Sequence, residues 1–342
     1  MAAGRPSAAV VDVLAVTSEA PPIPHLYVHW PFCARKCPYC DFNSHAGRDA
    51  ERARYGEALI AEARRWRGRI QAQTVFVGGG TPTHVEAEGL ERYLGGIRDA
   101  LDLRDVGEWT IEANPGSLDR AKVRALRRVG VNRTSIGVQS FDDRHLRTLG
   151  RVHDASDAVR GIEILREGGM PRFSLDLILA TPGQTLADQE RDLQRAVDLA
   201  PEHVSAYVLT FEEGTAFTDL MRQGRLPSPE PDRELAHLHL ASERLTDAGY
   251  ARYEISNFAR LGAESRHNLA YWRNADWIGI GAGAHSHVQG RRWGNFEDPA
   301  AYAARIEADA LPTAWDEHVD ADRRAFEFVL MGLRLAEGLD LD

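Results

Sequence analysis

The sequence predicts an α/β fold: a partial six-unit (β/α) barrel followed by a smaller C-terminal α-rich module. Three observations predict it. Six short runs of strand-forming residues alternate with helix-patterned segments, which implies parallel pairing through right-handed crossovers. The six units occupy about 185 residues, short of the eight units and roughly 250 residues of a closed barrel. Beyond Phe211 the alternation stops, and a helical stretch and an aromatic, Gly-rich region follow.

Taken in order, residues 1–24 are rich in Ala and Pro and end in Pro21-Pro22-Ile23-Pro24, so they read as a flexible leader. The fold is expected to start near His25. Strands are expected from Leu26 to Trp30, Thr74 to Val77, Glu108 to Ala113, Arg133 to Val138, Arg172 to Leu179 and His203 to Leu209. Tyr55, Leu59, Ala63, Trp66 and Ile70 make one helical stripe, with Arg64, Arg65, Arg67 and Arg69 as its solvated charges. Leu90, Tyr93, Leu94, Ile97 and Leu101 make a second. Ser117 reads as the N-cap of a helix that stops at Gly130, and Asp154 and Gly168 bracket another. A barrel over residues 25–215 is therefore expected. The region 216–342 contains a helix from Arg233 to Ala248, the Gly-rich region from Tyr250 to Trp293, and a final amphipathic helix from Arg323 to Glu337 carrying Phe326, Phe328, Val329, Leu333 and Leu335. A lone terminal helix reads as a truncated module.

The composition narrows the function. With 342 residues, 43% hydrophobic and 27% charged, the chain has a globular balance, and no run reaches the roughly 20 apolar residues of a membrane helix. A net charge of −10, from 41 basic and 51 acidic residues, repels a phosphate backbone, so nucleic acid is not expected as a partner. The only three cysteines, Cys33, Cys37 and Cys40, crowd into eight residues, which suits ligands in a reducing cytoplasm and not a disulfide framework.

Cys33-x3-Cys37-x2-Cys40 follows the first strand. Three thiolates can hold three irons of a cubane and leave the fourth open. A structural zinc site with His29 or His45 as fourth ligand is the alternative that the chemistry permits. The remaining polar signals fall near the C-terminal ends of strands, where barrel enzymes place their sites. Gly78-Gly79-Gly80-Thr81-Pro82 follows the second strand, and glycines there allow close backbone approach to a ligand, or simply a tight turn. Glu112, Gln139, Arg151 and Asp176 are each open to a structural role: capping acid, turn former, surface ion pair and buried strand residue. Together they offer carboxylates for ribose hydroxyls and a guanidinium for a carboxylate.

The cysteine spacing, with Tyr39 just before the third cysteine, resembles the cluster motif of the radical S-adenosylmethionine superfamily. That resemblance implies a [4Fe-4S] cluster on Cys33, Cys37 and Cys40. It also implies S-adenosylmethionine chelated at the open iron and cleaved to a 5'-deoxyadenosyl radical. Tyr27, Tyr39, Phe42, Gly79, Gly80, Thr81, Glu112, Gln139, Arg151 and Asp176 match positions that bind the cofactors.

Leu26-Tyr-Val-His-Trp-Pro-Phe-Cys33, Glu112-Ala-Asn-Pro115, Gly137-Val-Gln-Ser-Phe141 and Gly279-Ile-Gly-Ala-Gly-Ala-His285 further resemble the coproporphyrinogen oxidase-like group, over residues 25–338. This group contains oxygen-independent coproporphyrinogen III oxidases and heme chaperones. The oxidases carry a fourth cysteine two positions after the third, where this chain has Phe42. His267-Asn268-Leu269-Ala270-Tyr271-Trp272 matches the chaperones' heme motif. The resemblance therefore implies a cytoplasmic heme chaperone, with His267 binding heme and acceptor hemoproteins as partners; radical decarboxylation of coproporphyrinogen III is the alternative. A neutral imidazole is a good axial ligand, and Tyr271 and Trp272 offer apolar faces to a porphyrin, although the same residues could form an ordinary turn and core. His285 and His287 receive no role. Transient contact with a membrane surface is compatible with the sequence. Two segments depart from the group's pattern: Ala180-Thr181 stands for the more usual Gly-Leu, and Phe211-Glu-Glu-Gly214 lacks a proline.

Overall fold

A computed structural model describes residues 21–339. The expected leader lies outside the described residues as far as residue 20. The first strand, β1 (Ile23–Trp30), begins inside its remaining part, because Ile23 N–H donates to the Arg69 carbonyl at 2.8 Å and so enters the sheet.

The chain continues through β2 (Phe32–Cys33), β3 (His45–Ala46), α1 (Arg52–Arg65), β4 (Ile70–Gly79), α2 (Ala87–Leu101), β5 (Glu108–Ala113), α3 (Arg120–Val129) and β6 (Arg133–Gln139). It goes on through α4 (Asp143–Thr148), α5 (Ala155–Glu167), β7 (Arg172–Leu179), α6 (Leu186–Asp198), β8 (His203–Val208), α7 (Ala216–Arg222) and α8 (Pro231–Asp247). The last part holds β9 (Ala251–Arg252), β10 (Asn257–Ala259), α9 (Arg266–Trp272), β11 (Trp277–Ile280), β12 (His285–Val288), β13 (Arg291–Asn295), α10 (Pro299–Glu307), β14 (Thr313–His318) and α11 (Ala321–Gly332).

Six expected strands appear in place, β5 and β7 with the bounds read from the sequence. β1, β4, β5, β6, β7 and β8 lie side by side in chain order, each parallel to the next. One face of these strands is apolar. Leu26, Val28, Val75, Val77, Ile111, Ile136, Val138, Leu175, Leu177, Val204 and Ala206 are buried in one core with Leu59, Leu94, Ile97, Leu126, Ile162, Leu193 and Leu245 of the helices. Each fully buried Val, Leu or Ile contributes about 1.5–3 kcal/mol, so this layer dominates the stability. The opposite face carries the polar side chains that form the site.

The C-terminal region differs from the α-rich module expected. It adds strands to both edges of the sheet: β10 and β9 extend it antiparallel beyond β8, while β11 joins parallel to β1 and leads to antiparallel β12, β13 and β14. These strands are two to six residues long, too short for a period-two signal to stand out.

Three local expectations change as well. Asp119, not Ser117, caps α3 by accepting from Lys122 N–H, because Pro115–Ser117 form a 3-10 turn that delays the helix. Ile70 opens β4 and does not belong to the first helix, since the chain leaves α1 at Trp66 and turns at Gly68 with φ +77°. The final helix stops at Gly332, and of its expected stripe Phe326, Phe328, Val329 and Leu333 face outward, Phe326 65% and Leu333 68% exposed, while Leu335 beyond the helix end is buried. No helix among the described residues is long and apolar enough to cross a membrane.

Candidate functional site

A cavity of about 560 Å3 opens on the polar face of the parallel strands. Its wall includes Cys33, Cys37, Cys40, Tyr27, Tyr39, Phe42, Gly79, Gly80, Thr81, Glu112, Gln139, Arg151, Asp176 and His267, so every site residue expected from the sequence meets there. The reason is strand periodicity: Arg133, Ser135, Gly137 and Gln139 of β6 face the cavity while Ile136 and Val138 enter the core. His203, Ser205 and Tyr207 do the same on β8.

Cys33 ends β2, and Cys37 and Cys40 stand on the loop between β2 and β3, whose parallel pairing of Phe32 with His45 brings the loop back on itself. Cys40 N–H donates to the Cys37 carbonyl at 3.1 Å. All three thiols are free and half-buried, and burial pushes those of Cys33 and Cys40 up. Each sulfur has a polar neighbour from a different segment. Thr81 Oγ1 donates to Cys33 Sγ at 3.6 Å, Arg151 Nη1 donates to Cys37 Sγ at 3.4 Å, and Ser44 Oγ lies 3.9 Å from Cys40 Sγ.

The donor set fits a multi-iron cluster better than one zinc ion. Tetrahedral zinc with Zn–S near 2.3 Å holds its sulfurs about 3.8 Å apart. Among the described residues, the one group of three metal-ligating side chains with atoms all within 4.8 Å is Asp142, His145 and Asp188, so the three cysteine sulfurs do not all lie within that distance of one another. His29, offered as a fourth zinc ligand, shares one ring nitrogen with Tyr27 Oη at 2.9 Å and the other with the Asn43 carbonyl at 2.8 Å. His45 is tied through Nε2 to Asn43 Oδ1 at 3.1 Å.

Next to the cysteines the groups suit an amino acid bound to a nucleoside. Arg151 also donates to the Gly137 carbonyl at 3.0 Å, to Tyr39 Oη at 3.5 Å and to Asn114 Oδ1, while its buried Nε has no partner in the structure. Glu112 accepts from Gly79 N–H at 3.0 Å. Burial, then the neighbouring Asp176 charge, raise its carboxyl to about 7 against the opposing pull of that amide. Asp176 accepts from Ser135 Oγ at 2.9 Å, and its carboxyl is raised by burial. Asp176 sits in the middle of β7 and not at its C-terminal end as expected, so it reaches a deeper level of the cavity. Gln139 adopts φ +69°, an unusual left-handed conformation for a residue with a side chain, and one that clusters at functional sites. Phe42 is 57% exposed at the rim.

Packing of the turn itself also demands the glycines. A Cβ on Gly79 would meet the His29 ring at 2.4 Å, and one on Gly80 would meet the Phe32 carbonyl oxygen at 2.7 Å. They let this turn pack against β1 and β2; Gly80 N–H and Thr81 N–H donate to the Trp30 and Phe32 carbonyls at 2.7 and 2.8 Å.

His267 lies on the wall of the cavity, against His25 of β1 and Thr74 and Phe76 of β4. Its Nδ1 shares a 2.7 Å hydrogen bond with Thr74 Oγ1 and its Nε2 a 2.9 Å bond with Tyr271 Oη, and Phe76 stacks on the ring. Glu108 fixes the start of α9 by accepting from Arg266 N–H and His267 N–H, both at 3.0 Å. Burial, then His25 and Arg133, lower the imidazole to about 3, so it stays neutral. Trp272 does not line the cavity.

Sequence reasoning missed Asn114 as an individual contributor, although it lies in the Glu112-Ala-Asn-Pro segment; its Nδ2 donates to Thr81 Oγ1 at 2.8 Å. It also missed Ser44, Ser135 and Arg133. The alternation along β6 carries the signal for the last two.

Residues 27–196 match the family model of the radical SAM superfamily. The chain is 38% identical over 317 residues to the heme chaperone HemW of Bacillus subtilis, covering 92% of this chain and 84% of that protein. It is 38% identical over 331 residues to the heme chaperone HemW of Escherichia coli, covering 93% and 84%. Among solved structures, coproporphyrinogen III oxidase (HemN) from Escherichia coli, described as a radical SAM enzyme, superposes with a TM-score of 0.81. It is 24% identical, covering 94% of this chain and 78% of that one, a likeness of fold.

Proposed function

This chain belongs to the radical SAM superfamily and, within it, to the heme chaperones named HemW, and from that membership we propose how its cavity works. Cys33, Cys37 and Cys40 hold a [4Fe-4S] cluster. Gly79, Gly80, Thr81, Glu112, Gln139, Arg151 and Asp176, with Tyr27, Tyr39 and Phe42, hold S-adenosylmethionine beside it. When reduced, the cluster supplies the electron that cleaves the sulfonium. The buried Nε of Arg151 and the carboxylate of Glu112 are the groups that receive the carboxylate and the cationic part of the amino acid.

Heme is the cargo, held through His267 and passed to an acceptor hemoprotein. The observation that carries this reading is the position of His267 and Tyr271 on the wall of the same cavity that the cysteines line. The neutral imidazole is in the state that binds iron, with Thr74 holding Nδ1 and with Nε2 on Tyr271 Oη, a phenol that heme would displace to reach the nitrogen. The six consecutive parallel strands support a partial barrel over residues 25–215, with 216–342 supplying the heme segment. Three free cysteines support a reducing cytoplasmic setting. Phe42, where the oxidases place a cysteine, weighs against coproporphyrinogen oxidation.

The test is a hemin titration of anaerobically reconstituted protein, followed at the Soret band, beside His267→Ala. Saturable one-to-one binding lost in the variant supports the reading. Equal, weak binding by both proteins overturns the assignment of His267.

A further inference from the structure

The three cysteine sulfurs differ in what faces them. Arg151 brings a buried guanidinium to Cys37 and also donates from Nη2 to Asn114 Oδ1. With its oxygen engaged there, the Asn114 amide nitrogen donates to Thr81 Oγ1 at 2.8 Å. A hydroxyl that accepts from an amide keeps its own proton for another partner, and the sulfur of Cys33 lies 3.6 Å away. The bonds therefore run in one direction, from Arg151 through Asn114 and Thr81 to Cys33, and every donor points toward the sulfurs.

We propose that Asn114 is a positioning residue that aims Thr81 at Cys33 and braces Arg151 at Cys37, raising the reduction potential of the cluster these cysteines hold. This rests on the [4Fe-4S] reading above. The physical reason is charge: reduction adds negative charge to the cluster, part of it on the thiolates, and hydrogen bonds to those sulfurs stabilise the reduced form more than the oxidised one. The donors come from the turn after β4, the segment after β5 and the segment after α4, so the sheet itself holds them in register. Arg151 has a second consequence. A carboxylate bound at its free Nε lies on the same guanidinium that faces Cys37, so occupancy of the cofactor site and the potential are linked through one side chain.

The test is an EPR-monitored redox titration of the anaerobically reconstituted full chain, with iron and sulfide analysis of each sample. Thr81→Val removes the donor to Cys33, Thr81→Ser keeps it, and Asn114→Leu removes the bridge. At a fixed potential, the reduced-to-oxidised ratio is expected to fall roughly threefold in Thr81→Val, a shift of about 30 mV at about 59 mV per tenfold. Asn114→Leu should fall at least as far, and Thr81→Ser should stay near the parent. A merely structural role would lower cluster content without moving the potential.

An unchanged potential in Thr81→Val with a full cluster overturns the proposal. If either variant loses its cluster, ENDOR of the reduced parent chain after exchange into D2O decides. An exchangeable proton coupled to the cluster, kept in Thr81→Ser and lost in Thr81→Ala, supports it; a spectrum without such a proton, or one unchanged in Thr81→Ala, overturns it. A parent chain that takes up zinc and no iron would instead overturn the cluster reading, a result distinct from failure of the tuning.

Discussion

Tyr271 and His267, one turn apart on α9, meet through a 2.9 Å hydrogen bond between the phenol oxygen and Nε2. Nδ1 of the same ring is bound to Thr74. If Nε2 is the iron ligand, heme must displace the phenol, which offers a sharper test than deleting the histidine. A neutral hydrogen bond contributes about 1 kcal/mol, so Tyr271→Phe is expected to tighten hemin binding about fivefold. His267→Ala should abolish it. Titration at the Soret band checks both, and weaker binding by Tyr271→Phe would place the phenol itself among the heme contacts.

Burial also sets how the protein meets acid. His25, His29, His153 and His237 are lowered to about 4 and His267 to about 3, in each case chiefly by burial. The unfolded chain binds protons at these histidines below about 6.5 while the folded chain does not, so stability falls as pH drops from there toward 4. Glu62 and Glu112, raised to about 7, act in the opposite sense, because the folded state keeps their protons. Five imidazoles outweigh two carboxyls. Urea unfolding of the cofactor-free chain should show a lower midpoint at pH 5 than at pH 7.5, and an equal or higher midpoint would refute this balance.

The parts of the site legible in the sequence are those where a strand ends in an uncommon residue. Gln139 closes β6 and Glu112 lies one residue from the end of β5, so a correct strand also located a wall residue. Asn114 was not legible as a contributor, because it acts on Thr81 across a fold of the chain that no spacing reveals, and Ser44, although local to Cys40, stands in an irregular loop with no periodicity to show which way its hydroxyl points. Ser135 and Arg133 were hidden for another reason. Parallel strands usually bury both faces in apolar residues, yet here the odd positions of β6 face a polar cavity. The same limit applied to β9–β14, whose pairing with β8 and β1 depends on edges far away in sequence.

Ala180 explains one departure from the group's pattern. It follows β7 with φ +58°, a left-handed conformation that costs a residue with a Cβ about 1–2 kcal/mol, and Arg233 holds the turn there by donating to its carbonyl at 3.1 Å. Glycine avoids that cost but loses more chain entropy on folding, about 0.4–1 kcal/mol. Ala180→Gly is therefore expected to stabilise the protein by about 0.5–1 kcal/mol. The unfolding midpoint measures it, and a destabilised variant would mean that the methyl group, 7% exposed, matters more by packing than by strain.

Glu112 supplies the last prediction. Its carboxyl is raised to about 7 by burial and by Asp176, so near neutral pH it is only partly ionised. S-adenosylmethionine carries a sulfonium and an ammonium, and a positive ligand binds the ionised carboxylate in preference to the neutral acid. Its affinity should therefore rise with pH through about 7, by at most about tenfold between pH 6 and 8, the change in the ionised fraction. Glu112→Gln removes the titration and should bind more weakly at pH 8 with a flat profile across this range. The Gly79 amide can still donate to the glutamine oxygen, so the turn is preserved and the comparison reports charge. Equilibrium dialysis of the cluster-loaded protein against labelled S-adenosylmethionine at the two pH values decides it. A parent profile as flat as that of the variant would remove Glu112 from the cation's surroundings.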